Sequence, residues 1–351
     1  MATTGRVSVK LSAFRENLLL LQKHASRCPA AVVKANAYGL GANALLPTLL
    51  EGGVRDFFVA TAAEANQIAG DLASGCRVFV LEGVRTDTLS EIMAAGAIPV
   101  VNSATQLRVW SQQHPFAVHL DTGMHRLGVE MYDWQAFVGE LTQPPAMVVS
   151  HFARSDEPHH PANLQQIESV RNLVSAIALK FGDQPQISMG NSPAVLGGLV
   201  PDWGTRAGIG LYGGNPFASL PNPLHPVVTF EGQIIGKRVL PAEVALGYGG
   251  TYTTTQTTTV ATLGIGYADG VPRLLSNTGH VWATGHRLPV VGRVSMDMTQ
   301  IDVTTADHLQ EGDWVEVFGA NLSVDAVAEQ AHTISYEILT GLGNRPARLF
   351  H

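Results

Sequence analysis

Ala31-Val32-Val33-Lys34-Ala35-Asn36-Ala37-Tyr38-Gly39 joins an apolar run, a single lysine and a glycine-bearing turn. The β-branched residues favour a strand, and the glycine supplies a turn directly behind the lysine. The same rhythm recurs at Phe57 to Thr61, Arg77 to Leu81, Ile98 to Asn102, Phe116 to Asp121, Met147 to His151, Gln186 to Asn191 and Arg206 to Tyr212. Helical patterns separate these runs. Eight βα units in roughly 210 residues predict a (β/α)8 barrel of the TIM type, with a doubly wound sheet as the alternative.

Beyond the eighth run the pattern changes. Gly213 to Pro226 carries prolines at 216, 221, 223 and 226, which remove ladder donors and break helices. A boundary there divides residues 1–219 from residues 220–351. The second part reads as mostly β, with Thr-rich and β-branched stretches at Val227 to Leu240, Thr257 to Gly266, Val281 to Val303 and Trp314 to Phe318. A late helix is expected over Val324 to Ala331, capped by Ser323.

With 351 residues, 45% of them hydrophobic, the chain is long enough for two cores. Only 15% are charged, and the net charge of −7 is mild and spread along the chain, which disfavours a nucleic-acid partner. Two cysteines, Cys28 and Cys76, lack metal-ligand spacing and read as free thiols in a reducing compartment. Met1 to Lys10 lacks a basic and apolar leader pattern, and no window reaches ~18 unbroken apolar residues. A cytoplasmic protein without membrane segments is expected.

In a barrel the carboxyl ends of the strands converge, so their polar residues are the candidate site. Lys34 closes the first run, Ala31 to Ala35. Asp121, Thr122, His125 and Arg126 follow the fifth, His151 closes the sixth, and Asn191 and Ser192 follow the seventh. Arg206, Gly208 and Ile209 lie in the eighth. A lysine in an apolar setting is costly to keep charged, and its neutral amine suits Schiff-base chemistry with an aldehyde. Ser192 and the backbone N–H groups near Gly208 fall where barrels commonly bind phosphate. Taken singly, each residue also has a structural use: Ser192 as a cap, His151 as a satisfied core histidine, Arg126 as an ion-pair member.

Five motifs, in order along nearly the whole chain, carry a resemblance. They are Ala31 to Gly41, Asp121-Thr122-Gly123-Met124-His125-Arg126-Leu127-Gly128, His151-Phe152-Ala153-Arg154-Ser155-Asp156-Glu157, Gly264-Ile265-Gly266-Tyr267-Ala268-Asp269-Gly270 and Val291-Gly292-Arg293-Val294-Ser295-Met296-Asp297. Together they resemble the signatures of bacterial alanine racemases. The resemblance implies a pyridoxal 5'-phosphate enzyme with a barrel and a C-terminal β-domain. It also implies a homodimer with shared sites that supplies D-alanine for peptidoglycan.

Carried over residue by residue, the resemblance makes Lys34 the Schiff-base lysine and the base for the D-side α-proton. Tyr267 of the partner subunit becomes the opposing base. Two bases on opposite faces are what inversion requires. A free phenol titrates near ~10, so such a base needs positive neighbours, for which His151 and Arg206 are candidates. Arg206 would also face the pyridine nitrogen, and Arg126 the phenolic oxygen of the ring and the substrate. Tyr38, Asn191, Ser192, Gly208 and Ile209 would surround the phosphate. The Met296 N–H would receive the substrate carboxylate, and Asp156 and Arg293 would line the entrance.

Four positions depart from the common pattern. His119 replaces a frequent lysine that becomes carbamylated and orients the arginine, so His119 or a bound anion is expected to brace Arg126. Ala207 replaces a proline and Leu40 a histidine. Asn344 stands where a tyrosine near the substrate is expected, and its amide leaves room for a hydroxyl, so serine or a broader substrate range is an alternative. A barrel-type amino-acid decarboxylase and a non-catalytic pyridoxal-phosphate carrier are the remaining alternatives.

Overall fold

The computed structural model describes residues 3–199 and 202–351, so the first two residues of the Met1 to Lys10 stretch lie outside it. In chain order the strands of the first part are β1 (Gly5–Val9), β2 (Ala30–Val32), β3 (Asp56–Val59), β4 (Arg77–Val80), β5 (Ile98–Val101), β6 (Ala117–Asp121), β7 (Val129–Glu130), β8 (Met147–Val149), β9 (Ile187–Gly190) and β10 (Gly204–Ala207). Strands β2, β3, β4, β5, β6, β8, β9 and β10 are parallel neighbours, and the β10–β2 and β5–β6 pairings close them into a barrel. All eight expected runs are barrel strands. The two-residue β7 pairs with β6 at the barrel's rim.

Continuous apolar runs are what a parallel sheet covered on both faces demands. Phe57, Phe58, Phe79, Val100, Val118 and Val148 are fully buried, and the rings of Phe58 and Phe79 stack with centroids 4.7 Å apart. Helices pack outside the strands. One of them, Ala62–Ala69, opens on a capping box in which Thr61 Oγ1 accepts from the Glu64 N–H.

Two local expectations are corrected. The first strand stops at Val32, and Lys34 opens a short turn, Lys34–Tyr38, in which Ala35, Asn36, Ala37 and Tyr38 have φ of 52°, 54°, 53° and 55°. Four consecutive non-glycine residues in the left-handed region cost roughly 1 kcal/mol each, which the surrounding packing must offset. The eighth strand stops at Ala207 and Ile209–Tyr212 forms a 3-10 turn. Ser192 Oγ accepts from both Gly208 N and Gly210 N at 3.1 Å, which curls the backbone away from the ladder.

The second sheet contains β11 (Val228–Leu240), β14 (Thr258–Leu263), β15 (His280–Ala283), β16 (His286–Pro289), β17 (Thr299–Asp302), β18 (Trp314–Phe318) and β19 (Ala347–Phe350), while β12 (Ala245–Leu246) and β13 (Tyr252–Thr253) form a separate ribbon. The fold is therefore a barrel followed by a mostly β domain. The N-terminal β1 lies in this second sheet, antiparallel to β11 with Val9 opposite Val228 and parallel to β19. Helix Val324–Gln330 forms as expected, with Ser323 Oγ accepting from Ala326 N at 3.1 Å. A further helix, Ser335–Thr340, was not expected, because six residues are too few to display a helical period. Among the described residues no helix is long and apolar enough to cross a membrane, and both cysteines are free.

Candidate active site

Helix Ser335–Thr340 covers the turn that follows Lys34. A Cβ on Gly39, at φ +82°, would come within 2.5 Å of the Leu339 carbonyl oxygen, so only glycine permits this approach. Between the turn, the barrel's strand ends and this helix lies a cavity of about 500 Å³. Its walls include Lys34, Tyr38, Arg126, His151, Asn191, Ser192, Arg206, Gly208 and Ile209. Nine residues marked in the sequence thus meet in one place.

Arg206 is the best-held of them. Its Nη1 donates to Ser188 O at 2.5 Å and Ser188 Oγ at 2.9 Å. Its Nη2 donates to Ser150 O at 2.7 Å and to His151 Nδ1 at 3.1 Å. Its Nε–H makes no hydrogen bond among the described residues. Burial lowers the Arg206 pKa to about 10, so it remains a cation at neutral pH. Because guanidinium only donates, His151 Nδ1 must accept, which puts the imidazole proton on Nε2. Burial and then Arg206 hold the His151 pKa well below the usual histidine value. This corrects one expectation: His151 is neutral and cannot itself supply positive charge.

Tyr38 and Gly208 form a tight pair. A Cβ at Gly208 would lie 2.5 Å from Tyr38 Oη. The Tyr38 ring stacks on Tyr212 at 4.5 Å, and the Tyr212 hydroxyl donates to Val32 O at 2.8 Å. Burial, and then Tyr336, raise the Tyr38 pKa, so its hydroxyl is a donor. Among the described residues neither Tyr38 Oη nor the Ile209 N–H has a protein partner. The Asn191 side chain accepts from Ala194 N at 3.1 Å and caps the helix that presents Ser192.

Lys34 has its pKa lowered by burial first and by Arg126 next, with Glu64 opposing. The Glu64 carboxylate also accepts from Ala35 N and Ala60 N at 2.7 Å, tying the turn to the neighbouring helix cap. Asp121 takes a structural part: its carboxylate accepts from Gly123 N at 2.9 Å, Met124 N at 3.0 Å and Arg126 N at 3.2 Å, shaping the loop that carries Arg126. The cavity is thus cationic, with Lys34, Arg126 and Arg206 around it, and suits a phosphate and a carboxylate.

Tyr267, Met296 and Asn344 do not line this cavity. Tyr267 is 43% exposed and Met296 53% exposed. The two lie on paired loops, with Tyr267 N donating to Ser295 O and Ala268 N to Met296 O, each at 3.0 Å. The loops are knit by Arg345, which donates twice to Asp269, at 2.8 and 2.7 Å, and to Asp297 at 2.7 Å. The exposed Arg293 borders a different pocket beside Tyr248. Asn344 is exposed on the bend before Arg345, and the tail tyrosine that faces the cavity is Tyr336. Burial, with Asp156 and Asp325, pushes the Tyr336 pKa up to about 12. Ile334, which precedes the helix, and Glu337 and Thr340 within it join Tyr336 in the wall; the helix was too short to be read from sequence.

Comparison with known proteins bears on this geometry. The alanine racemase N-terminal domain model matches residues 9–216, and the C-terminal domain model matches residues 227–350. The chain is 39% identical to an alanine racemase of Rhodospirillum rubrum over 366 residues, covering 99% of this chain and 96% of that protein. It is also 39% identical to a catabolic alanine racemase of Agrobacterium fabrum over 361 residues, covering 99% and 92%. The crystal structure of alanine racemase from Bartonella henselae with covalently bound pyridoxal phosphate superposes with a TM-score of 0.92 at 34% identity, covering 100% of both chains. The biosynthetic alanine racemase from Pseudomonas aeruginosa gives 0.91 at 33% identity, again covering 100% of both.

Proposed function

The chain belongs to the alanine racemase family, and on that premise we propose that it interconverts L- and D-alanine with pyridoxal 5'-phosphate, as a homodimer whose sites each draw residues from both subunits. The observation that carries this reading is one cationic cavity in which Lys34 meets donors that have no protein partner among the described residues, including Arg206 Nε, Tyr38 Oη and the Ile209 N–H.

These residues fit the cofactor. Tyr38, Ser192 and the Ile209 N–H would hold the phosphate, in space that the missing Cβ of Gly208 leaves open. The Arg206 Nε–H would meet the ring nitrogen, and Arg126 the phenolic oxygen and the substrate. When bound, pyridoxal phosphate supplies an electron-withdrawing ring that makes the α-proton of an attached amino acid removable. Arg206 does not release its proton at neutral pH, so it would keep a ring nitrogen beside it unprotonated, which would favour proton return over side reactions.

Lys34 is the lysine that would join the cofactor's aldehyde carbon. Its lowered pKa makes a neutral amine available to take or return the α-proton on the D-side. Tyr267 of the partner subunit would serve the opposite face, and the exposure of both Tyr267 and the Met296 loop supports their projecting into a neighbouring site. Residues 1–219 would hold the cofactor and residues 220–351 would complete the partner's site. His151 would relay the field of Arg206 through its Nε2–H. The product would serve bacterial peptidoglycan, made in the cytoplasm. The Asn344 amide, on the bend before Arg345, keeps serine or a broader range of amino acids as the alternative substrate.

The test is chiral analysis of products from L-alanine and L-serine, incubated separately with enzyme and pyridoxal phosphate in heavy water. D-alanine carrying α-deuterium is expected, at a higher rate than D-serine. Cofactor binding without racemisation of either would overturn the assignment in favour of a carrier.

A further inference from the structure

We propose that Asn102 and His119 form a positioning pair that presents a neutral imidazole acceptor, Nε2, to the Arg126 guanidinium. Asn102 is a buried residue at the carboxyl end of β5, and its Nδ2 donates to Val100 O at 2.7 Å and Leu81 O at 3.2 Å. Two carbonyl acceptors decide which end of the amide is the NH2 group. The remaining atom, Oδ1, lies 2.8 Å from His119 Nδ1 on the adjoining strand β6. An amide oxygen only accepts, so Nδ1 carries the imidazole proton and Nε2 carries the lone pair.

The ring has little freedom to turn over. A Cβ on Gly128, at φ +120°, would come within 3.2 Å of His119 Cγ, so the loop backbone lies against the imidazole. His119 and Arg126 both line the cavity, and among the described residues the Arg126 guanidinium has no hydrogen bond or ion pair to protein. The charged groups around the ring are Arg206 from β10, Asp121 from β6 itself and Arg126 from the loop beyond it; His151 from the loop after β8 and Lys34 from the turn after β2 share the same wall. Burial, then Arg206, outweigh Asp121 and lower the His119 pKa to about 4, so the ring is neutral at neutral pH.

The chemical consequence differs from that of a carboxylate brace. A neutral acceptor orients a guanidinium without cancelling its charge, so Arg126 stays fully available to an anionic cofactor and substrate. No bound anion is then required to steady it. The effect on turnover rests on the proposed racemisation, whereas the protonation pattern does not.

The first readout is 15N NMR of histidine-labelled protein without cofactor, with His119 assigned by its loss in His119→Gln. The Nε2 resonance should show an unprotonated, pyridine-type nitrogen from pH 5.5 to 8. A proton on Nε2 in that range, as the other tautomer or as imidazolium, overturns the proposal whatever the enzyme's activity. The second readout is Asn102→Asp, whose carboxylate stabilises the imidazolium and so protonates Nε2. In the holoenzyme kcat/KM should fall about ten- to a hundredfold at pH 6 and recover as pH rises, with unchanged circular dichroism. A profile parallel to that of the parent contradicts the proposal. His119→Gln, which keeps an acceptor oxygen, should retain more activity than His119→Leu; equal loss in both also contradicts it.

Discussion

Arg206 donates an N–H to Nδ1 of His151 across 3.1 Å, and this contact leaves a permanent cation beside a neutral imidazole. Burial makes both His151 and His119 reluctant to take a proton, His119 down to about 4. An unfolded histidine protonates near ~6.5. Between those values the unfolded chain binds more protons than the folded one, so stability is present at neutral pH and lost as pH falls. The unfolding free energy from urea titration, at fixed protein concentration, should drop between pH 7 and pH 5 by roughly 2 kcal/mol for His119 alone and by more with His151, and the midpoint should fall with it. A midpoint that holds or rises toward pH 5 contradicts the neutral assignment.

Lys34→Ala should remove the absorbance near ~420 nm that a lysine-bound pyridoxal phosphate gives, and with it racemisation. The circular dichroism should be retained, since Lys34 donates no hydrogen bond to protein among the described residues. Persistence of that absorbance would move the attachment to another amine.

Gly208→Ala places a methyl group within 2.5 Å of Tyr38 Oη, in the proposed phosphate cradle. Pyridoxal-phosphate affinity should weaken about tenfold or more, read by fluorescence titration on protein that stays folded at the assay temperature, with a modest loss of thermal stability from the added methyl group. Unchanged affinity would place the phosphate elsewhere.

Much of this was legible in the sequence because apolar runs ending in polar residues are the direct imprint of a parallel barrel. All eight strands were found that way, and nine marked residues share the cavity. What was missed has physical causes. The left-handed turn after Lys34 contradicts the residue preferences of Ala35 and Ala37, and its support comes from Glu64 and from helix Ser335–Thr340, remote in sequence. Tyr336 was overlooked because a six-residue helix leaves no periodic trace. The place of β1 in the second sheet depends on pairing across more than two hundred residues, which local pattern does not report.

Arg345→Ala should loosen the loops that carry Tyr267 and Met296, leaving the buried Asp269 carboxylate, among the described residues, with the Gly266 N–H at 2.9 Å as its remaining partner. A stability loss of about 1–3 kcal/mol is expected. The KM for alanine should rise while cofactor affinity, which depends on the other loops, stays the same. A fall in cofactor affinity with unchanged KM would contradict that division of labour.

Lys34 and Tyr267 are proposed to meet only across a dimer, and subunit complementation tests this most directly. Lys34→Ala and Tyr267→Phe proteins, each inactive alone, are unfolded together and refolded as mixed dimers. Half the dimers should be mixed and each should contain one site with both residues intact, so alanine racemisation should return to about a quarter of the parent's activity. No recovery in verified mixed dimers would mean that both residues act within one subunit, contradicting the shared site.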